Sequence, residues 1–433
     1  MKNPVYYELD KTLETAFSVA ASNMKFGPGV LTEVGADARL MGMSRVALFT
    51  DRNVAATPAL ARVEDALKAA GLDVAVNADA HVEPTDASFL AAAEFARDGK
   101  FDGYVSLGGG SVMDTAKAAN LLATWPDAIM AYVNAPTGGA KPVPGPIKPH
   151  IACPTTCGTG SETTTVAVFD LVKLKMKTGI SSRFLKPGLA VVDPETISTL
   201  PGGAIASTGF DVLTHAIESY TARPFSARGK PASPTERPPY QGANPWSDIG
   251  SIKAIELGGK YLLRAVRDKS DIEARDALMF AATLAGMSFG NAGVHLPHAM
   301  SYSVAGLNHS YRAKGYENAD PMVPHGIAVV IDAPAAFRFT AEVAPERHLE
   351  AARALGADIA GVNDPGEALA GRLIDMMRET EMPNGLNDLG YGEDDIPELV
   401  KGAFEQQRLH AGSPRPVSEA DFAAIYKNAM RYW

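Results

Sequence analysis

The chain reads as an α/β N-terminal domain with a Rossmann-like parallel sheet, residues 1–194, followed by an all-α C-terminal domain, residues 195–433. Three observations predict this. Short apolar runs alternate with helical patterns as far as GLAVVDPETISTL (188–200), as in a parallel sheet covered by helices. Turns rich in glycine and hydroxyl groups follow two of those runs. Beyond them strand signals fade, and long Ala/Leu/Ile helical patterns take over.

Taken in order, RVALFTD (45–51) is an apolar strand ending in an acid, and TPALARVEDALKAAG (57–71) is a helix that stops at glycine. DVAVNAD (73–79) is a second strand, and TDASFLAAAEFARDGK (85–100) opens on a capping residue and continues as a helix. YVSLGGGSVMDTAKAANLLATW (104–125) is strand, glycine turn and helix, and HIACPTT (150–156) is a further strand. In the second half, SIKAIELGGKYLLRAV (251–266) puts Ile252, Ile255, Leu262 and Val266 near one face. EARDALMFAATLAGMSFG (273–290) is apolar almost all round, which predicts a buried helix. The proline- and glycine-rich ARPFSARGKPASPTERPPYQGANPW (222–246) predicts a long loop, of the kind that is either functional or disordered.

Composition narrows the function. A chain of 433 residues exceeds one ordinary core, and 46% hydrophobic with 21% charged residues is a globular balance. A net charge of -10 with no long basic run argues against nucleic acid or an anionic membrane as partner. No apolar run is long enough to cross a bilayer, and the first residues lack the pattern of a signal peptide. Two cysteines, Cys153 and Cys157, read as reduced thiols of an intracellular protein, and the expected compartment is the cytoplasm.

The turns suggest a nucleotide. GGGS (108–111) lies between a strand and a helix, where close backbone approach and free N–H groups suit a pyrophosphate. A plain tight turn explains it equally well. PTTCGTGSETT (154–164) adds the hydroxyls of Thr155, Thr156, Thr159 and Ser161 at the end of another strand. Asp51 can accept from a ribose 2′-OH and would repel a 2′-phosphate, favouring NAD; capping the next helix is its simpler use.

The helical half suggests a metal. Of nine histidines, His215, His295, His298 and His325 stand in apolar contexts, and Asp211 lies one turn before His215. An Asp and a His one turn apart make half of a divalent site, although taken alone such a pair is more often an ordinary acid with a core histidine. VHLPHAMSY (294–302) leaves open whether both of its histidines bind or only one.

GGGSVMDTAK, PTTCGTGSE, GFDVLTHAIE, HAMSYSVAG and VPHG, in this order across most of the chain, resemble the iron-containing (group III) alcohol dehydrogenases. The resemblance implies a nucleotide-binding N-terminal domain, a metal-binding helical C-terminal domain and a site in the cleft between. It implies metal ligation by Asp211, His215, His298 and His325, with His298 set by the register of HAMSY and Tyr302 standing where the family usually has a second histidine. It implies NAD contacts at Asp51, Gly109, Gly110, Ser111, Asp114, Thr155, Thr156, Thr159 and Lys177. Iron is the metal expected, with zinc as the alternative, and at least a dimer is the expected assembly.

Within the family, NAGVHLPHAMSY, ERPPYQGANPWSD, KTGISSRFLKP and DPMVPHG resemble the hydroxyacid-oxoacid transhydrogenase branch. That implies oxidation of 4-hydroxybutyrate to succinic semialdehyde, coupled to reduction of 2-oxoglutarate. Tyr302 is then a candidate proton relay, His295 a cleft residue or plain packing, and Arg223, Arg228, Lys230 and Arg237 candidates for holding a substrate carboxylate. The competing expectations are an alcohol dehydrogenase with freely exchanging NAD, a lyase resembling dehydroquinate synthase, and a non-catalytic binding protein.

Overall fold

The computed structural model describes residues 12–174, 176–308, 310–317 and 321–433. The chain divides into two units. One spans Ser22–Leu200; the other takes Pro201–Trp433 together with residues 12–21.

Among its described residues the first unit carries eight strands: β1 (Met24–Phe26), β2 (Arg45–Phe49), β3 (Asp73–Asn77), β4 (Gly103–Gly108), β5 (His150–Pro154), β6 (Val166–Leu171), β7 (Met176–Ser181) and β8 (Leu189–Val192). Its helices are α1 (Val34–Leu40), α2 (Arg52–Ala55), α3 (Pro58–Ala69), α4 (Asp86–Gly99), α5 (Gly110–Thr124) and α6 (Ile129–Tyr132). Six strands form one sheet in the order β1-β8-β5-β4-β2-β3, every pair parallel. The β6–β7 pair is a separate antiparallel ribbon.

Alternation along the strands builds two cores. Val46 and Leu48 of β2, with Val105 and Leu107 of β4, face Val63 and Leu67 of α3. Ala47, Phe49 and Tyr104 face the other way, onto Ala92 and Ala96 of α4 and Val112 and Ala116 of α5. A strand covered on both faces is buried along its length and largely apolar, as β4 and β5 are; their polar members, Ser106 and His150, satisfy each other at 2.8 Å. Each large side chain so buried contributes about 1.5–3 kcal/mol. The helix starts follow from local chemistry: Thr57 caps α3 ahead of Pro58, and Thr85 and Ser88 close a capping box on α4.

The chain leaves β2 for β3 on one side and returns to β4 on the other, so the strand order reverses between β2 and β4. A crevice at the carboxyl ends of these strands is where open α/β sheets bind ligands. Asp51 and the 108–111 turn stand there.

The second unit is helical: α7 (Gly202–Thr221), α8 (Pro245–Arg267), α9 (Ile272–Ala292), α10 (Leu296–Leu307), α11 (His325–Ala341), α12 (Pro345–Ala354), α13 (Pro365–Glu379), α14 (Ile396–Phe404), α15 (Gln407–His410) and α16 (Glu419–Asn428). α7 is enclosed by α8, α9 and α11, and α9 is buried along most of its length, as its composition predicts. No single helix among the described residues is long and apolar enough to cross a membrane; α9 and α10 pass that test only as a pair bent by 105°.

The break between units follows Leu200 rather than residue 194. Thr196 Oγ1 donates to Pro154 O at 3.0 Å, and the Asp193 carboxylate accepts from Leu31 N at 3.3 Å, tying the intervening turn to the sheet. Residues 12–21 leave the α/β unit altogether: Ser18 N donates to Gln241 Oε1 at 2.8 Å, and Arg237 holds the buried Glu14 carboxylate through two bonds of 2.8 and 3.2 Å. The 222–246 loop is thereby anchored, with Phe225 buried and Gly242 N donating to Ala292 O at 2.9 Å.

Candidate metal and cofactor sites

Asp211, His215 and Glu218 recur at helical spacing and share one face of α7. His298 enters from the first turn of α10, and His325 is the first residue of α11. α11 can begin so close to α7 because residue 326 is glycine: a Cβ there would lie 1.9 Å from Ser207 O.

Three of the four expected ligands converge on one another, and the fourth, His215, stands beside Asp211. Asp211 Oδ1 has His215 Nδ1 at 3.5 Å, His298 Nε2 at 3.6 Å and His325 Nε2 at 3.8 Å. Ligand atoms of Asp211, His298 and His325 all lie within 4.8 Å of one another. Asp211 Oδ1, His215 Nδ1 and His298 Nε2 are buried and have no hydrogen-bond partner in the protein. An unsatisfied buried polar atom costs about 1–3 kcal/mol, so three aimed at one locus call for a bound group. One carboxylate oxygen with imidazole nitrogens is a donor set for a divalent first-row metal, and the residues fit that group.

The surroundings set the protonation. Burial works against ionisation of Asp211, but the positive charge that His215 and His325 take up in acid outweighs it and holds its carboxyl far below the usual range. Burial takes His215 down to about 3, which keeps its ring neutral against Phe289, stacked at 4.0 Å between centroids. Burial also opposes charge on Glu218 and His298, yet their contact lowers Glu218 and raises His298 to about 9. The Glu218–His298 contact joins Oε2 to Nδ1. Glu218 Oε1 accepts from the backbone N–H groups of His295 at 2.7 Å and His298 at 3.2 Å.

His295 is not a cleft residue. It is fully buried, its Nδ1 accepts from Leu296 N at 2.8 Å, and its Nε2 meets Thr221 Oγ1 at 3.0 Å. With both ring nitrogens committed it is packing, not a ligand. Tyr302 is buried one turn beyond His298 on the same face of α10. Sequence reading missed Glu218, although its spacing from Asp211 and His215 inside GFDVLTHAIE is the signal that could have found it.

In the α/β unit the two turns pack on each other. A Cβ at Gly110 would lie 2.6 Å from Thr159 Cγ2, and one at Gly109 would lie 3.2 Å from Thr156 Cγ2. Thr155 N donates to Gly108 O at 3.0 Å. Gly109 caps α5, leaving the first N–H groups of that helix for an anion. Asp51 does cap α2: its Oδ1 accepts from Asn53 N at 2.8 Å and Val54 N at 3.0 Å, and Oδ2 takes neither bond. Ser111 Oγ accepts from Glu83 N at 3.1 Å.

Two expected cofactor residues face inward. Asp114 accepts from Ser161 Oγ and from Val168 N at 2.8 Å, and pairs with Lys117 at 3.4 Å. Fully buried Lys117 also reaches Ser161 Oγ at 2.6 Å and Val166 O at 2.9 Å, so this unpredicted lysine braces the two turns. Lys177 pairs with Glu83 and, at 3.2 Å, with Asp170; burial opposes its charge, and the two carboxylates more than restore it.

Residues 21–194 match the family model of iron-containing alcohol dehydrogenases, and residues 239–430 match the model of that family's C-terminal domain. The chain belongs to the iron-containing alcohol dehydrogenase family and is an oxidoreductase. It is 50% identical over 427 residues to the mitochondrial hydroxyacid-oxoacid transhydrogenase of Mus musculus, covering 98% of this chain and 92% of that one. Among solved structures, 1,3-propanediol oxidoreductase superposes with a TM-score of 0.82 at 28% identity, covering 96% of this chain and all of that one. Sulfoacetaldehyde reductase from Bifidobacterium kashiwanohense, solved with NAD+, gives 0.78 at 28% identity, covering 96% and 99%. The cytoplasmic expectation is overturned by the transhydrogenase relatives, which are named as mitochondrial. Acidic charge and reduced thiols suit any reducing compartment and could not discriminate.

Proposed function

We propose that the chain is a metal-dependent, NAD-using hydroxyacid-oxoacid transhydrogenase. It would oxidise 4-hydroxybutyrate to succinic semialdehyde and return the hydride to 2-oxoglutarate, giving 2-hydroxyglutarate. The 50% identity to the mouse transhydrogenase over nearly the whole chain carries this reading. The ring of nitrogens around Asp211 Oδ1 supports it independently.

Asp211, His215, His298 and His325 would hold the divalent ion, iron by family and zinc as the alternative, which would supply Lewis-acid polarisation of a substrate hydroxyl, as NAD would supply the hydride chemistry. The backbone at Gly109, Gly110 and Ser111 and the start of α5 would receive the pyrophosphate, with Thr155, Thr156 and Thr159 beside it. Asp51 Oδ2 would accept from a ribose hydroxyl, favouring NAD over a 2′-phosphorylated cofactor. Asp114 and Lys177 act through the loops they brace. Tyr302, buried on the His298 face of α10, is the side chain offered for the proton of the substrate hydroxyl.

The loop cations sort by partner. Arg237 is neutralised by Glu14, and Arg223 donates to Ala227 O. Lys230 is exposed. Arg228 is half-buried, and burial with repulsion from Arg223 and Arg237 pulls its pKa down against the pull of Glu14. Its Nη1 donates to Tyr240 O at 3.5 Å. Arg228 is thus the cation left for a substrate carboxylate.

Incubation with 4-hydroxybutyrate and 2-oxoglutarate, after removal of loose cofactor and with no NAD added, tests the reading. Succinic semialdehyde and 2-hydroxyglutarate should appear in equal amounts. Turnover that requires added NAD, with NADH accumulating, would instead establish the freely exchanging alcohol dehydrogenase. Sedimentation of the loaded enzyme should show at least a dimer.

A further inference from the structure

Glu218 is a fully buried carboxylate that nothing in the ligand set requires. Its two oxygens are divided. Oε1 takes the N–H groups of His295 and His298, at the positive end of α10, and Oε2 takes the His298 ring at Nδ1. An ionised carboxylate only accepts, so His298 Nδ1 must be the donor. With Nδ1–H held there, the proton the ring gives up to a metal is the one on Nε2, the atom 3.6 Å from Asp211 Oδ1 that has no partner in the protein. His295, three residues earlier, shows the opposite outcome: Thr221 Oγ1 gives its proton to Ile217 O at 2.7 Å and receives from His295 Nε2, while His295 Nδ1 accepts from Leu296 N. The same stripe of α7 therefore decides the fate of both histidines.

We propose that Glu218 is a positioning residue that fixes the tautomer and orientation in which His298 ligates the metal. This rests on the reading that the Asp211 cluster binds a divalent ion. A carboxylate on the far nitrogen of a metal-bound histidine orients the ring and raises its basicity, and removing such partners typically costs about 10–100-fold in metal affinity.

Glu218→Gln separates this role from packing. The amide oxygen can still accept the two backbone N–H groups, but its NH2 must donate to His298 Nδ1, which drives the ring proton onto Nε2 and blocks ligation. Zinc titration of metal-free protein against a chelator of known affinity should show wild type binding one ion and Glu218→Gln binding about 10–100-fold more weakly, with metal-free melting temperatures close together. Thr221→Val, which removes the ring partner of His295 only, should lower the melting temperature and leave zinc affinity alone. Wild type that binds no zinc would defeat the metal reading itself. Unchanged zinc affinity in Glu218→Gln, or an equal loss in Thr221→Val, would overturn the positioning role. Should Glu218→Gln not fold, 15N-histidine NMR of zinc-loaded wild type decides: His298 should carry its proton on Nδ1, and a proton on Nε2 would refute the assignment.

Discussion

Replacing Gly326 by alanine should cost the enzyme its metal more than its fold. The added Cβ would sit 1.9 Å from Ser207 O, 2.6 Å from Ser207 C and 3.0 Å from Ser207 Oγ. Two of these three atoms are backbone on α7, so no side chain can swing away. A normal C···O contact is roughly 3.3 Å, which requires the start of α11 to retreat by about 1.4 Å. His325 is the adjacent residue, and its Nε2 stands 3.8 Å from Asp211 Oδ1. Ligand distances tolerate only about 0.2 Å, so a retreat of that size removes His325 from the site. Overpacking of this kind destabilises by about 1–3 kcal/mol, which a chain this size survives. Misplacement of about 1 Å at a reacting centre costs roughly 100-fold in rate. Metal per chain by mass spectrometry, kcat and the melting temperature of metal-free protein should be measured together. Native metal content and kcat in G326A would refute the tight α7–α11 contact; a lower melting temperature with metal retained would refute its link to His325.

Three further substitutions probe other parts. Gly110→Ala, whose Cβ would meet Thr159 Cγ2 at 2.6 Å, should weaken NAD binding at least about tenfold by calorimetry, through a lost close approach at the helix start, while leaving zinc binding intact. Arg228→Gln should lower kcat/KM for 4-hydroxybutyrate by about 10–100-fold, the loss of a charge-assisted hydrogen bond, and spare butan-1-ol; equal losses on both would reject the carboxylate role. Asp332 is fully buried on α11, neither oxygen has a partner, and burial holds its pKa well above the usual carboxylate range, with Tyr391, Tyr426 and Tyr432 as the titratable groups around it. The folded state then keeps a proton that the unfolded chain releases, so stability is full below about pH 4 and falls as pH rises, by at most about 1.4 kcal/mol per pH unit. Asp332→Asn should remove that slope and melt above wild type at pH 8 but not at pH 4; an unchanged slope in urea melts would contradict this.

Much of the fold is legible because its strands are simple. β2, β4 and β5 are buried on both faces for nearly all their length, so they appear as short, mostly apolar runs, and each ends at a turn whose residues announce it. β1 is only three residues long, too short for any periodicity to register. The β6–β7 ribbon hides for another reason. Its threonine, lysine and glycine content, as in MKTGIS, obscures the pairing of Val166 with Ser181. Residues 12–21 were assigned to the wrong unit because what holds them, Arg237 on Glu14 and Gln241 on Ser18, lies more than two hundred positions away.

The site shows a sharper limit. His295 and His298 lie three residues apart in the same apolar stretch, and spacing alone cannot tell them apart. What separates them is which lone pair remains uncommitted, and that is decided by atoms of α7. Thr221 closes the ring of His295, and Glu218 holds His298 by the nitrogen that faces away from Asp211. Because Asp211 and His215 sit on the same stripe, one helix supplies two ligands and chooses a third. A change that rotates α7 should therefore disturb all three together and reach His325 through the Gly326–Ser207 contact, whereas a change on α11 alone displaces only His325. Metal binding should fail in two distinguishable ways: through the α7 stripe with α10 misplaced, or through α11 with the α7–α10 pair intact.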